Sequence, residues 1–461
     1  MTIKLTRTTD AGRPTARFRT TRPPTSPTAR ADQDAGAGRQ STVGAAYDRL
    51  VGPDSPVRIE AWDGSSGGPA DGLTVRLTSP TALQYLLTAP GELGLARAYL
   101  AGVLEIDGMD EGNPYDVLKL FRDAPGPHLQ ALADLPELLP LLRHLRHGLP
   151  ELPPEETPSR WWRAADGLRH ARRRDAKAIS HHYDVSNRFY EMVLGPSMTY
   201  TCACYPTEEA TLEEAQAYKY DLVARKLGLE PGMRLLDVGC GWGGMVRHAV
   251  THYGVTALGV TLSRQQAQWA QARIEQEGLA GRAEVRHADY RDVTERGFDA
   301  VSSIGLTEHI GVRNYPAYFR FLRERLRDEG RLLNHCITRP DNRNPGLPER
   351  GFINRYVFPD GELTGSGDIV RVMENEGFEV RHQENLREHY ARTCGAWSAN
   401  LAANWDACVA EAGVGTARVW GLYLAGSRLG FEDNGIQLHQ VLASKTSAEG
   451  VSGFGLRPDW D

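Results

Sequence analysis

The amino-acid sequence predicts an α/β fold, a doubly wound parallel sheet preceded by a smaller α+β domain. From His181 to Ser444, strand and helix patterns alternate in the order of a parallel sheet with right-handed crossovers. Residues 235–244, LLDVGCGWGG, are typical of a buried strand that runs into a glycine-rich turn and a helix. The chain has 461 residues, which is enough for two or three domains and a substantial core.

The N-terminal segment predicts no folded structure. Residues 1–40 are rich in Arg, Thr, Pro and Ala and lack apolar periodicity, so they bury too little surface to offset the entropy of ordering. We therefore predict a disordered basic tail, which also lacks the apolar central run of a signal peptide. No segment approaches the roughly 20 apolar residues that span a bilayer. We expect a cytoplasmic protein.

Residues 41–149 predict the smaller domain, because short apolar runs such as 73–77, LTVRL, alternate with helical stretches around 83–100 and 113–145. A proline-rich break at 149–154, LPELPP, then marks a linker over 150–180. This linker is cationic and aromatic. It suits either a solvated helix face or a surface that rests on anionic lipid headgroups, where each nearby cation contributes about 1 kcal/mol. The cations and tryptophans are Arg160, Trp161, Trp162, Arg163, Arg169, Arg172, Arg173, Arg174 and Lys177.

The predicted catalytic domain covers 181–444 and is followed by a C-terminal tail over 445–461. Its apolar runs predict strands at 233–238, 256–260, 283–287, 298–304 and 331–336. The glycine-rich turn follows the first of these strands, where a doubly wound sheet binds a nucleotide-like cofactor. Its glycines let the backbone approach a ligand closely, and Asp237 at the strand end can hold the turn or the ligand.

The spacing of this turn differs from the dinucleotide pattern G-x-G-x-x-G. It fits an S-adenosylmethionine methyltransferase better, and we predict a Rossmann-like class I fold of that type. Asp237, Gly239 and Gly241 are then candidate cofactor residues.

Polar residues after the second and third strands extend this candidate site. No carboxylate follows the second strand to bind ribose hydroxyls, and Thr261 and Gln266 could supply those contacts instead. Ser263 could cap the next helix. Asp289 and Tyr290 could touch the edge and face of an adenine, although an aspartate here also suits a plain turn.

Charge and cysteine content exclude other classes. The net charge is 53 − 59 = −6, which does not favour a nucleic-acid partner. The six cysteines lack the paired C-x-x-C spacing of zinc sites, so we predict no metal site and reduced thiols.

Six motifs together identify a resemblance that covers about residues 180–444. They are HYDVS at 182–186, YTCA at 200–203, LDVGCGWG at 236–243, GVTLS at 259–263, EHIG at 308–311 and FINRYVFP at 352–359. In this order they resemble the cyclopropane-fatty-acid synthase family, which includes mycolic acid cyclopropane synthases and relatives that make 10-methylene or 10-methyl fatty acids.

The resemblance implies that a methyl group from S-adenosylmethionine is added to the double bond of a phospholipid acyl chain, and that a bound bicarbonate then removes a proton. It implies that bicarbonate is held by Glu308, His335 and Tyr390, with the main chain near Cys202 and Ile337. It implies cofactor contacts at Tyr183, Thr201, Gly239, Gly241, Thr261, Leu262 and Gln266.

The chemistry of an alkene explains these residue types. An alkene is a poor nucleophile without a proton to lose, so the sulfonium must drive the reaction, and the resulting cation must be kept from water. Aromatic faces stabilise such a cation by roughly 0.5–2 kcal/mol each, and Tyr183, Tyr356 and Tyr390 are candidates. An anion held by a carboxylate, an imidazole and a phenol can then take the proton.

One departure bears on the product. Many cyclopropane synthases carry a cysteine where this chain has Ser427, which suggests another branch of the family. One cation can close to a cyclopropane, or a hydride shift can lead to a methylene group that a partner reductase converts to a methyl branch. The sequence leaves both products open.

Two further functions remain open at this stage. One is a methyltransferase of a soluble small molecule, and the other is a lipid-binding relative that has lost catalysis. For the main hypothesis we expect a peripheral enzyme on the inner membrane face, whose N-terminal domain presents lipid or assembles a homodimer.

Overall fold

The structure is a computed structural model. It describes residues 42–52, 54–124, 143, 148–156, 185–343, 351–359, 361–457 and 460. The predictions for the tail 1–40, for the basic and aromatic part of the linker and for Tyr183 lie outside the described residues. Residues Ser41–Asp461 form one compact unit. The boundaries of the predicted domains stay predictions.

The N-terminal part combines a small sheet with four helices among the described residues. The elements are α1 (Val43–Val51), β1 (Val57–Ala61), β2 (Ser66–Gly67), β3 (Leu73–Leu77), α2 (Pro80–Thr88), α3 (Glu92–Leu100), β4 (Leu104–Ile106) and α4 (Tyr115–Asp123). The strand order is β2-β1-β3-β4. The expected helical stretch around 83–100 is two helices, because the chain turns at Gly91, whose φ of 90° ends one helix before the next begins.

The second part of the chain alternates strands and helices. Its elements are α5 (Asn187–Leu194), α6 (Leu212–Leu227), β5 (Arg234–Val238), α7 (Gly244–Tyr253), β6 (Thr256–Thr261), α8 (Arg264–Gln276), β7 (Ala283–His287), β8 (Phe298–Ile304), α9 (Thr307–Ile310), α10 (Tyr315–Arg325), β9 (Leu326–Thr338), α11 (Phe352–Tyr356), α12 (Ser366–Asn375), β10 (Glu379–Asn385), α13 (Arg387–Ala403), α14 (Trp405–Ala412), α15 (Val414–Glu432) and β11 (Gln437–Ser444).

These strands form a seven-stranded sheet in the order β10-β11-β9-β8-β5-β6-β7. Strands β5 to β9 are parallel to their neighbours among themselves, as predicted. Strands β10 and β11 add an antiparallel edge that the sequence did not predict. The predicted α/β fold with a Rossmann-like parallel sheet is confirmed.

Buried apolar strands position the sheet between its helices. In β5, every residue from Leu235 to Val238 is buried, as expected for a strand covered on both faces. Helix α6 begins at a capping box between Thr211 and Glu214 and ends at Gly228 in the left-handed conformation. Within the described residues, no helix combines the length and apolar character needed to cross a membrane.

Candidate active site

A central cavity lies beyond the carboxyl ends of β5, β6 and β8. The chain leaves β5 towards β6 on one side and reaches β8 on the other, so the cavity is at the topological switch point of the sheet. Its wall contains Met198, Thr199, Tyr200, Thr201, Lys219, Tyr220, Asp237, Gly239, Cys240, Gly241, Trp242, Gly244, Met245, Val260, Thr261, Leu262, Gln266, Ala288, Tyr290, Ile304, Gly305, Leu306 and His309.

The glycine-rich turn forms one wall of this cavity. Gly239 and Gly241 have φ values of 78° and 53°, which a residue with a Cβ rarely adopts. A Cβ on Gly239 would lie 3.0 Å from the Cβ of Leu306 on the opposite side. The turn therefore requires glycine both for its backbone conformation and for the space in front of it.

Asp237 ends β5 and is buried beside the turn. Its Oδ1 accepts a hydrogen bond of 2.6 Å from the Ser302 hydroxyl on β8. Burial raises the pKa of Asp237 to about 6, although the Ser302 contact and the charge of Lys219 act in the opposite direction. The structure thus places a fixed acceptor at the strand end, where the sequence predicted a ligand contact.

The loop after β6 brings three predicted residues together. Thr261 donates a 2.8 Å hydrogen bond to Gln266 Oε1, and both residues line the cavity. Ser263 caps α8 by accepting from the Gln266 amide at 3.3 Å, and it is not among the cavity-lining residues. Leu262 lines the cavity, and its carbonyl lies 3.1 Å from His287 Nε2.

Asp289 and Tyr290, which follow β7, have different roles. Tyr290 lines the cavity and packs edge-on against Tyr318, with ring centroids 5.1 Å apart. Asp289 accepts from the Arg291 amide at 2.9 Å and from its guanidinium at 2.6 Å. It caps the following 3₁₀ turn. Asp289 therefore has the turn-forming role that the sequence left open, and it is not among the residues that line the cavity.

The buried Lys219 lies in the cavity wall opposite the glycine-rich turn. Lys219 on α6 donates a 2.9 Å hydrogen bond to Thr201 Oγ1, and its ammonium lies 3.9 Å from the centre of the Tyr220 ring. Burial lowers the pKa of Lys219 to about 8. This lysine holds the hydroxyl of the predicted cofactor residue Thr201, and no pattern in the sequence pointed to Lys219.

Beside the cavity, β9 continues to Thr338, beyond the last residue of β8 that pairs with it. Past that point, main-chain amides and carbonyls on the β8 side of β9 bind groups outside the sheet. Gly305 donates to the His335 carbonyl at 2.8 Å, and the next free amide, that of Ile337, donates to Glu308 Oε1 at 2.7 Å. Burial raises the pKa of Glu308 to about 7. His335 lies two residues before Ile337, so both side chains are on one face of the strand.

Two polar atoms of this group are unsatisfied. Within the described residues, neither Glu308 Oε2 nor His335 Nε2 meets a hydrogen-bond partner, although both are buried. The other ring nitrogen of His335 lies 3.2 Å from Gln440 Nε2. Burial lowers the pKa of His335 well below its usual range, so the ring is neutral. A buried polar atom without a protein partner is satisfied by an ordered water or by a bound polar ligand.

Tyr390 and Cys202 complete the group that the sequence predicted. Tyr390 is buried on α13 and stacks on Phe431, with ring centroids 4.4 Å apart. Burial is the main reason that its pKa is raised, and the nearby Cys202 and Glu308 add to the shift. The Cys202 thiol donates to the Leu386 carbonyl at 3.8 Å, just before α13. The structure therefore brings Glu308, Ile337, Tyr390 and Cys202 to one region.

Comparisons with known proteins agree on one family. A profile of the mycolic acid cyclopropane synthetase family matches residues 170–441, more than half of the chain. A probable fatty acid methyltransferase of Mycobacterium tuberculosis is 56% identical over 410 residues, which cover 88% of this chain and 95% of that protein.

This chain belongs to the mycolic acid cyclopropane synthetase family.

Two further relatives of this synthetase-family enzyme indicate that it uses S-adenosylmethionine. A probable fatty acid methyltransferase of Pseudomonas putida is 37% identical over 400 residues, 86% of this chain and 93% of that protein. A solved mycolic acid cyclopropane synthase in complex with SAH and CTAB is 34% identical, covers 58% of this chain and 97% of its own, and has a TM-score of 0.55. The enzyme is an S-adenosylmethionine-dependent methyltransferase, as predicted.

The central cavity of this synthetase-family enzyme fits that cofactor. Its glycine turn leaves room where a Cβ would intrude, and Gly305 does the same opposite Thr201, since a Cβ there would lie 2.8 Å from Thr201 Cγ2. Polar groups from Asp237 and Gln266 and the Tyr290 ring border that space.

An aromatic cluster next to the cavity was not singled out by the sequence. Tyr200 packs against Trp397 and Trp420, with both centroid distances 5.5 Å, and donates a 3.0 Å hydrogen bond to the Tyr423 hydroxyl. Tyr200 lies in the YTCA motif, which was the available signal. The tryptophans come from α13 and α15, far along the chain, so only the tertiary fold shows that they belong here.

The role of Tyr356 as a cation-stabilising ring stays a prediction, and the structure shows its contacts outside the central cavity. Its hydroxyl donates a 3.0 Å hydrogen bond to the buried Glu156 carboxylate, and its ring stacks on Phe352 at 5.1 Å. It is not among the residues lining the central cavity. Tyr356 therefore belongs to the contact between the N-terminal part and α11.

Proposed function

We propose that this enzyme transfers one carbon from S-adenosylmethionine to the double bond of an unsaturated phospholipid acyl chain, with bicarbonate held beside the cofactor. The relatives that match nearly the whole chain are named fatty acid methyltransferases, and the family is named for cyclopropane synthesis. A fatty acyl substrate is what these names have in common.

The observation that carries the proposal is the pair of buried, unsatisfied atoms Glu308 Oε2 and His335 Nε2. A carboxylate that accepts and a neutral imidazole that donates suit a small ligand with both an O–H group and a negative oxygen. Bicarbonate has both. Tyr390 and Cys202 lie close to each other, because the Tyr390 amide and the Cys202 thiol both donate to the Leu386 carbonyl. Burial raises the pKa of Tyr390, and the charge of Glu308 contributes to the shift.

Bound bicarbonate would supply a base for the proton that the reaction releases. The chain's own residues would hold it: Glu308 accepts its O–H, and His335 donates to its negative oxygen. Glu308 is itself fixed by the Ile337 amide at 2.7 Å, so the acceptor cannot turn away from the ligand. A base that is held in place beside the acyl chain does not have to meet it by diffusion, so the entropy cost of bringing the two together is not part of the reaction barrier.

Bound S-adenosylmethionine supplies an electrophilic methyl group. Attack by the alkene leaves a positive charge on the acyl chain, and the residues around it must exclude water and stabilise that charge. The aromatic cluster of Tyr200, Trp397, Trp420 and Tyr423 is buried or half-buried. Each ring face near the cation contributes roughly 0.5–2 kcal/mol.

The product depends on where the proton is lost relative to the cation. Direct loss from the added carbon with ring closure gives a cyclopropane, and a prior hydride shift gives a methylene group. The methylene product would require a reductase as the next enzyme. A shift of about an ångström in the position of the base is enough to change such a partition.

Membrane attachment is part of the proposal. We propose that the cationic segment from Arg160 to Lys177 rests on anionic headgroups of the inner leaflet, since each cation near such a surface is worth about 1 kcal/mol. Reversing the charges of Arg172, Arg173 and Arg174 then lowers vesicle binding and turnover on vesicles. Turnover of a soluble acceptor would be unaffected by the same change.

The test is to incubate the purified protein with S-adenosylmethionine, bicarbonate and oleoyl phospholipid vesicles, and to analyse the released fatty acids by mass spectrometry. We expect a chain that is heavier by one CH₂. Ozonolysis separates the products, because it cleaves the methylene product and leaves the cyclopropane intact. Cofactor binding without any lipid product would contradict the proposal and favour a soluble acceptor or a lipid-binding relative without catalysis.

Glu308→Gln provides the residue-level test. We expect turnover to fall by about 10²–10⁴-fold, the usual contribution of a positioned acid–base group. Glu214→Gln is the matched control, because Glu214 also accepts from a main-chain amide, that of Thr211 at 2.8 Å, but lies at the exposed start of α6. Its turnover should equal that of the wild type. Equal turnover of the wild type and Glu308→Gln would contradict the assignment.

A further inference from the structure

A line of buried polar side chains reaches His335 from the antiparallel edge of the sheet. Glu384 on β10 is paired with Gln440 on β11, and Gln440 is paired with His335 on β9. Lys226 on α6 donates to the carboxylate of Glu384 and, at 2.7 Å, to Gln440 Oε1. Gln440 Nε2 lies 3.2 Å from His335 Nδ1. We call these four residues the His335 relay.

Lys226 determines which way the Gln440 amide points. An ammonium only donates hydrogen bonds, so it must face the amide oxygen and not the amide nitrogen. The reversed amide would place two donors against each other, and such an assignment is decided by the network around it. Lys226 and Gln440 are 0% and 1% exposed, so water does not offer either group an alternative partner.

The orientation of Gln440 determines the tautomer of His335. The amide nitrogen only donates, so Nδ1 of His335 must accept and cannot carry a proton. Burial and the positive charges of Lys219 and Lys226 disfavour the imidazolium. We infer that Lys226 and Gln440 are positioning residues that hold His335 as the neutral Nε2–H tautomer, a fixed hydrogen-bond donor at the unsatisfied end of the ring.

This inference gives His335 a definite role, resting on the proposed function where it concerns bicarbonate. Nε2 bears the proton and Nδ1 is occupied by Gln440, so neither nitrogen of His335 can take a proton from the acyl chain. His335 would therefore hold the anion as a hydrogen-bond donor, and the base for the acyl-chain proton would be supplied by the bound bicarbonate. The side chains of Lys226 and Gln440 act only through His335 and do not touch the substrate.

The test is ¹⁵N NMR of histidine-labelled full-length protein without lipid or S-adenosylmethionine, because the two ring-nitrogen shifts report the tautomer directly. The His335 signals are assigned by their absence in His335→Gln. We expect the wild type to show a protonated Nε2 and an unprotonated Nδ1. A protonated Nδ1 in the wild type would overturn the inference without any variant of the relay.

Gln440→Glu reverses the relay without removing a partner for Lys226. A carboxylate at this place accepts from both Lys226 and Nδ1, so we expect the proton to appear on Nδ1. The matched control is Gln437→Glu, the same substitution on the same strand, at a residue that instead donates to Asn434 at 2.6 Å. An unchanged His335 tautomer in folded Gln440→Glu would overturn the inference.

Bicarbonate titration supplies the second readout. In Gln440→Glu, Nε2 of His335 no longer donates a hydrogen bond to bicarbonate. We therefore expect the bicarbonate concentration at half-maximal turnover, or at half-maximal change of the His335 ¹⁵N shifts, to rise by about 10- to 100-fold, since a hydrogen bond to a charged group is worth this much. The KM for S-adenosylmethionine should stay unchanged. If the tautomer is as inferred and no lipid is methylated, the relay stands and only the proposed function fails.

Discussion

At the scale of single residues, burial sets the protonation states of the site. Glu308 keeps its proton up to about pH 7, whereas His335 stays neutral because its pKa is well below the usual range. Only one of the two proposed anion ligands therefore changes charge near neutral pH. Burial thus acts in the same way on both residues, because it disfavours the charged form of Glu308 and the charged form of His335.

This difference predicts the pH dependence of turnover. The Glu308 carboxylate must be ionised to accept from bicarbonate, and its pKa is raised to about 7, so the rate should rise as the pH passes through that value. The measurement is kcat/KM for bicarbonate with lipid and cofactor saturating, because this ratio reports the groups of the site before bicarbonate binds. It is made below the pKa of about 8 of Lys219.

The control for the pH profile is Glu308→Gln, which has no group to ionise. Its residual turnover should lack the inflection near pH 7. The same inflection in wild type and variant would show that another group, or bicarbonate itself, is responsible.

At the level of the elements, the loop between β8 and α9 passes close to Thr201 on the opposite wall of the cavity. Gly305 has a φ of 74°, and a Cβ there would lie 2.8 Å from Thr201 Cγ2. Thr201 cannot move freely, because Lys219 holds its hydroxyl. Space for the cofactor thus depends on a glycine from one element and a threonine from another.

We predict that Gly305→Ala weakens S-adenosylmethionine binding, as measured by isothermal titration calorimetry. The control is Gly232→Ala, which has a φ of 88° and no heavy atom within 4 Å of the added Cβ. Both variants should lose about 1–2 kcal/mol of stability from left-handed backbone strain. Equal cofactor affinity in the two variants would contradict the proposed contact with Thr201.

The elements also show what the sequence could predict. Strands β5, β6 and β8 were predicted within a residue of their observed ends, because a parallel strand that is covered on both faces is buried along most of its length and is rich in apolar residues. Strands β10 and β11 were missed because their sequences, EVRHQEN and QLHQVLAS, mix polar residues with apolar ones. Some of those polar residues form the His335 relay, whose partners are distant in sequence.

The candidate site divides in the same way. Residues within compact motifs, such as Asp237, Gly239 and Glu308, could be predicted from the sequence because their neighbours along the chain carry the signal. Lys219 and Trp420 could not, because helix packing alone brings them to the site. Asp289 and Ser263 match the cap and turn chemistry that their residue types favour, and the structure places neither in the cavity wall.

At the scale of the whole molecule, the N-terminal part is joined to the catalytic part by a buried charge cluster. Arg97 on α3 donates to both oxygens of Glu156, at 2.7 and 2.6 Å. The same carboxylate accepts from Tyr356 on α11 at 3.0 Å, within the FINRYVFP motif. The N-terminal part thus supports a segment that is specific to the family resemblance.

We predict that Arg97→Met destabilises the protein by about 3 kcal/mol, measured by urea unfolding, because it leaves a buried carboxylate without its closest cation. The value is at the lower end because Arg355 lies 3.9 Å from Glu156. The control is Arg76→Met, which breaks an exposed pair with Asp107. That change should cost far less, because water screens an exposed ion pair. Equal losses would contradict the structural role of the cluster.

The proposed reaction requires that the carbon added to the acyl chain loses one of its own protons. It is tested most directly with S-adenosylmethionine whose methyl group carries three deuterium atoms, with mass spectrometry of the product. Both the cyclopropane and the methylene product should retain two deuterium atoms on the added carbon. A product that retains all three would show that the proton leaves the acyl chain instead, and would contradict the account.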